Sequence, residues 1–394
     1  MKRIKYFGWI FATLFIFSVC QAVNDNQAAI KPESVYSIIY VQKPNDWYVK
    51  QAELWKKEID KNPKSEEAWQ NYYNAVRYIR FTETISTKEK REKLENIIEE
   101  MGKAIPNTFT YHFLKYKTHM NIKDISDLEK AYELNPERKE TYSEFACYYE
   151  LHGQPDKERE FLKKMYKSED IAPGLIDYNY NVLMSTEKNA ILFTNGDNDT
   201  YPVWVLQKVV GVRPDITVLN VSLIMADEKY LEGKLSEKKI KIDFDNLPKY
   251  RTKEFVSGLA QYVLKNYPDT PLYFALTVYD DYLKSVKSNL YITGLAYKYS
   301  TDRVDNFALI KKNLENNFRL DYLSYDWYSD DYLATSLLPG LNMNYVVSMV
   351  MLAQHYNESG ESNRALKWKE NALQIAKKAG KEKELQEEFQ NKGI

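Results

Sequence analysis

The sequence predicts a chain of mixed class, α/β plus all-α: a parallel-sheet domain flanked on both sides by stacked helical hairpins. Three observations carry this. Between 46 and 186, apolar residues recur at three- and four-residue spacing, as in Trp47, Leu54, Trp55 and Ile59, and again in Trp69, Tyr72, Tyr73, Val76 and Ile79. That is the period of an amphipathic helix. After 187, short strand-like runs alternate with helical ones. From 341 the helical texture returns, with small residues at fixed intervals.

The chain opens on an export segment, 1–22. Met1 to Lys5 carries three basic residues, and the next 14, Tyr6 to Val19, are almost entirely apolar. This is short for a membrane span, which needs about 20 residues, and right for a signal-peptide core. Two processing routes are open: cleavage after Ala22, or lipidation of Cys20. Cleavage is the expected one, because Val19 is larger than the small residue that precedes a lipidated cysteine. Either route exports the chain, to the periplasm or beyond, or to the outer membrane as a lipoprotein. No later run in the sequence reaches spanning length. Residues 23–45 are polar with two prolines, an extended lead-in.

The helical block, 46–186, is punctuated by "KNPKSEEAW" (61–69), "IPNTFTY" (105–111), "NPERKETY" (135–142) and "APGLIDY" (172–178). Each sets a proline a few residues before an aromatic, and proline ends one helix and pre-shapes the start of the next. The prolines are 43, 30 and 37 residues apart, which brackets the 34-residue period of tetratricopeptide hairpins. In the C-terminal block, 341–394, Ala353, Ala365 and Ala372 stand 12 and 7 apart, the small-residue spacing that lets two such helices approach closely. Phe145, Ala146, Tyr149 and Gly153 repeat half of that pattern, with Glu158 where a second alanine would fall. The repeats are therefore degenerate, and their aromatics read first as packing. The tail from Lys377 reads as a solvated terminal helix.

Between these blocks, Ala190–Thr194, Ile216–Leu223 and Pro271–Leu276 read as strands, Ile240–Phe244 as a further one, and Thr200–Val210 and Lys253–Lys265 as helices. Strand, helix, strand predicts a βαβ-type, Rossmann-like parallel sheet over 187–300, with 301–340 connecting it to the last repeat. The first strand runs into "TNGDNDTYP", Thr194–Pro202. In an open α/β sheet this is where ligands bind. Asp197 and Asp199 are oxygen ligands suited to Mg²⁺ or Ca²⁺, with Asn195 and Asn198 as carbonyl donors. Gly196 permits a tight turn or positive φ. Asp280 and Asp281 would follow the third strand on the same edge. The competing reading is a cap: Asp199 or Thr200 accepts from helix amides, and Pro202 fills a first turn. That leaves Asp197 without a structural explanation.

Charge is nearly balanced, with 55 basic and 56 acidic residues, so no basic field invites nucleic acid. Two cysteines, Cys20 and Cys147, make no disulfide framework and no zinc spacing. No phosphate-binding glycine loop is present, and no nucleophile adjoins the acidic motif. These absences favour a non-catalytic protein.

The stretch "NAILFTNGDNDTYPVWVLQKVVGVRPDITVLNVSLI" (189–224) resembles the signature of a Bacteroidota family of multi-spanning, protein O-mannosyltransferase-like membrane proteins of unknown function. The likeness continues through "LYFALTVYDDYL" (272–283), "NLYITGLAYKYS" (289–300) and 341–366. It implies a soluble extracytoplasmic module whose hallmark is Gly196, Asp197, Asn198, Asp199, Thr200 and Pro202. The membrane-embedded portion that would carry glycosyl transfer has no counterpart here, so the resemblance implies no reaction. The combined expectation is an exported binding or scaffold protein that meets other envelope proteins in an assembly or glycan-handling pathway. Two alternatives stand beside it: a metal-dependent hydrolase or sugar-processing enzyme using Asp197 and Asp199, and a glycan or glycopeptide recognition module using the Tyr- and Asp-rich 320–333 stretch.

Overall fold

The computed structural model describes residues 31–80, 87–119, 123–325, 332 and 336–393. The export segment, Cys20 and the start of the lead-in lie outside them, as do residues 326–331 and 333 of the aromatic stretch.

Eight helices form the first block: α1 (Asn45–Lys61), α2 (Glu66–Tyr78), α3 (Thr87–Ala104), α4 (Phe109–His119), α5 (Ser126–Leu134), α6 (Glu140–Leu151), α7 (Pro155–Lys167) and α8 (Pro173–Met184). Pro63, Pro106 and Pro136 fall in the turns between them, and Pro173 opens α8. After Pro63, the Ser65 hydroxyl caps α2 by accepting from the Ala68 amide. Consecutive helices pack on one another in pairs, including α4 with α5 and α6 with α7. Aromatics fill the seams: Phe145 stacks on Phe161 with centroids 4.4 Å apart, and Tyr132 meets both edge-on.

The sheet has five strands, β1 (Ile191–Thr194), β2 (Thr217–Asn220), β3 (Leu272–Ala275), β4 (Leu290–Ile292) and β5 (Ala296–Tyr299), in the order β2-β1-β3-β5-β4. The three central apolar runs pair in parallel, β2 and β3 on either side of β1. All three are buried at every position, as strands covered on both faces must be. The expectation of a parallel sheet is corrected here, because the sheet is mixed: β5 runs antiparallel to β3, and β4 to β5. The hairpin turn is held from outside. Ser185 accepts from the Thr293 hydroxyl through its carbonyl and from the Leu295 amide through its Oγ. Gly294 has φ +132°, and a Cβ there would meet the Phe318 ring at 2.6 Å.

Between the strands lie α9 (Tyr201–Val205), which runs into a π-turn at Leu206–Val210, then α10 (Val221–Ala226), α11 (Glu228–Ser236) and α12 (Lys253–Asn266). The strand expected at Ile240–Phe244 is absent. Ile240 is buried, but the Lys241 amide donates to the Tyr267 hydroxyl, and the Lys241 carbonyl accepts from the hydroxyls of Tyr262 and Tyr267. With its main chain satisfied by tyrosines, the segment needs no ladder.

The short α13 (Asp280–Leu283) separates β3 from β4, and after the sheet come α14 (Asn306–Lys312), α15 (Leu338–Asn342), α16 (Val346–Glu358), α17 (Ser362–Lys378) and α18 (Glu382–Asn391). The helices α16 and α17 pair closely, with Ala353, Ala365 and Ala372 buried between them. The tail is not merely solvated, since α18 buries Leu385 and Phe389. In the 320–333 stretch, the buried Tyr322 hydroxyl donates to Asn342 and meets the Tyr345 hydroxyl, which ties the ring into the fold.

Repeats and sheet share one apolar core. Two polar joints cross it. Glu158, at the position of the missing alanine, is buried and binds Lys208 of the π-turn, which also meets Glu150 of α6 at 2.7 Å. From α11, Lys234 pairs with Glu150 and the Tyr230 hydroxyl donates to it. Burial and the neighbouring Glu150 push the Glu158 carboxyl up. Burial would push Glu150 up too, but Lys208 and Lys234 outweigh it and hold it down. The second joint is Arg213, which donates to the carbonyls of Leu183, Thr186 and Glu187 and pairs with Asp215 at 2.9 Å. That pairing holds the Asp215 carboxyl down to about 2.

Lys208→Met leaves two buried carboxylates with one fewer cation. It is expected to cost about 3 kcal/mol, read from the urea midpoint at neutral pH. The loss should shrink on acidification, because protonation of Glu158 removes one of the stranded charges. Asp215 titrates in the opposite sense. Its folded value is depressed, so its contribution is present above the ordinary carboxylate range and fades as pH falls towards 2. In Arg213→Ala that acid-side dependence should disappear from the Tm-against-pH curve.

Candidate functional site

The loop Thr194–Pro202 sits at the C-terminal end of β1. There the chain first adds β2 on one side and then β3 on the other, the switch point at which open α/β sheets bind ligands. Here the protein fills that point with its own side chains. Asp199 is buried and accepts from the amides of Asn195 at 2.8 Å and Gly196 at 2.7 Å. It also accepts from the Thr277 hydroxyl, just beyond β3. The Thr200 hydroxyl meets that of Thr194 at 2.8 Å and accepts from Asn220 Nδ2 at the end of β2. One loop thus binds the ends of all three parallel strands. Burial pushes the Asp199 carboxyl up, against these hydrogen bonds.

The expected cap is therefore corrected in its details. Neither the Asp199 nor the Thr200 side chain accepts from the amides of α9, although the Thr200 carbonyl accepts from the Trp204 amide at 2.9 Å. Asp199 bonds backwards, and only Pro202 plays the part foreseen for it, in the first turn. Gly196 has φ −137° and open space where a Cβ would stand, so the turn does not require glycine. The carboxylates expected to bind a cation have protein partners, Asp197 excepted. Both Asp199 oxygens are taken by N–H and O–H donors. Asp280 pairs with Lys287 at 3.0 Å, and Asp281 with Lys253 and Lys284. Hydrogen bonds from those two lysines hold the Asp281 carboxyl down to about 2. Among the described residues, no three His, Cys, Asp or Glu side chains converge to hold a metal.

Two loop residues face outward. Asn198 donates through Nδ2 to the Ile39 carbonyl, and its own carbonyl accepts from the buried Asn179. Asp197 has no side-chain hydrogen bond or ion pair among the described residues. Its side chain is exposed to solvent, although protein crowds one side of it. That crowding pushes its carboxyl up. Lys117 opposes the shift, Glu144 and Asp199 add to it, and Arg77 opposes it further.

Lys117, Glu144 and Arg77 belong to the helical repeats. Lys117 of α4 pairs with Glu144 of α6. Arg77 of α2 donates to the Tyr73 hydroxyl and the Lys117 carbonyl. Cys147, half-buried on α6, shares a hydrogen bond with Tyr201, and burial pushes its thiol up to about 12. Sequence reasoning missed Arg77, Lys117, Glu144 and Tyr201 as site residues. They lie up to 124 positions apart, and no local pattern joins them. Two other surface grooves, of about 480 and 540 Å³, lie elsewhere, one lined by Ala52, Tyr72 and Ile97 and the other by Leu314 and Trp368. Asp197 lines neither of them.

The lead-in crosses this region. Gln51 Oε1 accepts from the Glu33 amide at 2.8 Å, and Trp55 Nε1 donates to the Glu33 carbonyl at 2.8 Å. Two residues on, Asn71 Oδ1 accepts from the Val35 amide at 2.6 Å, and Asn74 Nδ2 donates to the Val35 carbonyl at 2.9 Å. Residues i and i+2 of an extended chain present the same edge, so four side chains of α1 and α2 read the main chain as a sheet edge would.

A family model described as TMEM260-associated domain 2 matches residues 175–238. The match runs from α8 past α11, and contains the whole of the 189–224 stretch. No curated protein matches the chain. Among solved structures, the crystal structure of yeast Tom70 is similar at 12% identity over 89% of this chain and 59% of that one, with a TM-score of 0.25. The structure of Naa15/Naa10 bound to HypK-THB is similar at 15% identity over 88% of this chain and 61% of that one, with a TM-score of 0.21. The chain spans about three-fifths of the length of either. The repeat architecture rests on the helical pairs themselves.

Asp199→Asn puts an amide donor against donors, and is expected to lower stability by about 2 kcal/mol. Asp197→Asn should leave the Tm at neutral pH unchanged or slightly raised. A folded pKa above the ordinary value means the ionised form is disfavoured there, and asparagine relieves it. Thermal unfolding of the two variants side by side checks the contrast.

Proposed function

We propose that this chain is an exported, non-catalytic binding or scaffold protein of the bacterial cell envelope, acting in an assembly or glycan-handling pathway. The face that brings Asp197 near Lys117, Glu144 and Arg77 receives an extended segment of another envelope protein. One observation carries the reading: α1 and α2 hold an extended main chain through Gln51, Trp55, Asn71 and Asn74. Main-chain recognition of this kind gives affinity to a polypeptide, with side-chain pockets adding choice. Asp197 supports it from the other side. An unpaired carboxylate held above its ordinary range gives nothing to stability, and such groups concentrate at functional sites.

The hydrolase alternative has less to stand on. Asp199 is committed to the loop, and Asp280 and Asp281 to lysines, so Asp197 lacks the partner that acid–base or metal-assisted chemistry needs. In the glycan alternative, the 320–333 stretch offers Tyr325, which is exposed, while Tyr322 is buried. The export and envelope parts of the reading come from the N-terminal segment and the family resemblance.

A photo-crosslinking residue at Tyr116, next to Lys117 on α4, tests the proposal in native envelopes. The expected result is a crosslink to a second, distinct polypeptide, reduced severalfold by Asp197→Asn. Recovery of uncrosslinked monomer alone would overturn it.

A further inference from the structure

The extended main chain that Gln51, Trp55, Asn71 and Asn74 hold is the protein's own lead-in. We infer that residues 33–41 are a built-in occupant of a peptide-binding groove, displaced when an extended segment of a separate polypeptide takes their place. The inference rests on the binding function proposed above. The segment has the traits of a ligand. Its extended part makes no backbone ladder; Glu33 and Val35 bond through N–H and C=O to helix side chains alone. Its side chains alternate: Val35 is buried at 3% exposure, while Tyr36 and Ile38 stand out at 45% and 41%. Beyond it the chain turns. Ile39 is held through its carbonyl by Asn198 of the signature loop. Tyr40 packs on Ala172, Leu175 and Leu338, and its hydroxyl donates to Asp170 at 2.7 Å.

These anchors state the chemistry of the competitor. It is an extended polypeptide with an apolar residue between Asn71 and Asn74, and a tyrosine five residues later against Asp170. The amides at Glu33 and Val35 are read without regard to side chain, so any polypeptide meets that part of the requirement. The floor also survives emptying. Gln51 and Asn71 are buried beneath the segment, and water can take up their free bonds once it leaves.

The probe is a fluorescent peptide with the sequence of residues 31–44, followed by anisotropy with the full chain. In the full-length double variant Val35→Asp, Tyr40→Ala, the tethered segment loses both side-chain anchors and the groove is open. This variant should bind the peptide at least about tenfold more tightly than wild type does. Adding Asn74→Ala should cost about tenfold, the equivalent of one buried hydrogen bond. Circular dichroism establishes that the variants are folded. On wild type, excess unlabelled peptide should accelerate hydrogen exchange at the protein's own Glu33 and Val35 amides, a readout independent of any variant. No uptake by the folded double variant, or unchanged exchange in wild type, overturns the inference. So does a concentration-dependent dimer that exchanges lead-ins, which would assign the groove to a second copy. Peptide failure alongside persistent Tyr116 crosslinks would remove the role of the lead-in and leave the binding function standing.

Discussion

The Asp199 carboxylate is the interaction on which the rest of the site depends. A buried acid that accepts from two amides of its own loop and a hydroxyl beyond β3 binds the sheet at the one point where its strand order reverses. In many α/β proteins that crevice is left open for a ligand. Here it is closed from within, and closure has a geometric result. With Asp199 and Thr200 turned into the sheet, Asn198 and Asp197 are turned out of it, one towards the lead-in and the other towards the helical repeats. The acidic motif is thus divided into a structural half and an outward half.

A second constraint ties that loop to the helices. Stacked repeats ordinarily touch only their neighbours and can open one at a time. The α6–α7 hairpin cannot do so freely, because Glu150 and Glu158 share Lys208 of the sheet domain, and Glu150 also pairs with Lys234. Separation would strand charges in an apolar seam. Arg213 makes a similar tie between the end of α8 and the approach to β2. The hairpin at Gly294 does the same for the C-terminal helices, since its carbonyl accepts from Ser348.

Much of the fold was legible in the sequence. The proline punctuation marked helix boundaries because proline acts locally, and Ala353, Ala365 and Ala372 marked a close pair because only small residues fit there. The three parallel strands were visible as unbroken apolar runs. What stayed hidden depended on distant partners. The β4–β5 hairpin carries mixed polarity and takes its place from contacts with Ser185 and β3. Ile240–Phe244 alternates like a strand, yet tyrosine hydroxyls replace its ladder. At the site, Asp197 stood out because capping did not explain it, whereas Lys117, Glu144 and Arg77 gave no local signal. Gln51, Asn71 and Asn74 carry no local mark in the sequence, because what distinguishes them is the distant main chain lying across them. Glu158 was noted as a misfit in a repeat pattern, and it proved to be a joint between domains.

The lead-in is joined to α1 by only a few residues, and that tether sets a threshold. A segment held so close to its groove presents itself at an effective concentration of about millimolar. A free competitor making the same contacts at micromolar concentration would then hold roughly one groove in a thousand. A partner must therefore bring contacts that the lead-in lacks, worth about a thousandfold in affinity. The unpaired Asp197 is placed to supply part of that difference. The groove would then discriminate by excess over its own chain, ignoring polypeptides that merely fit and yielding to those that reach further.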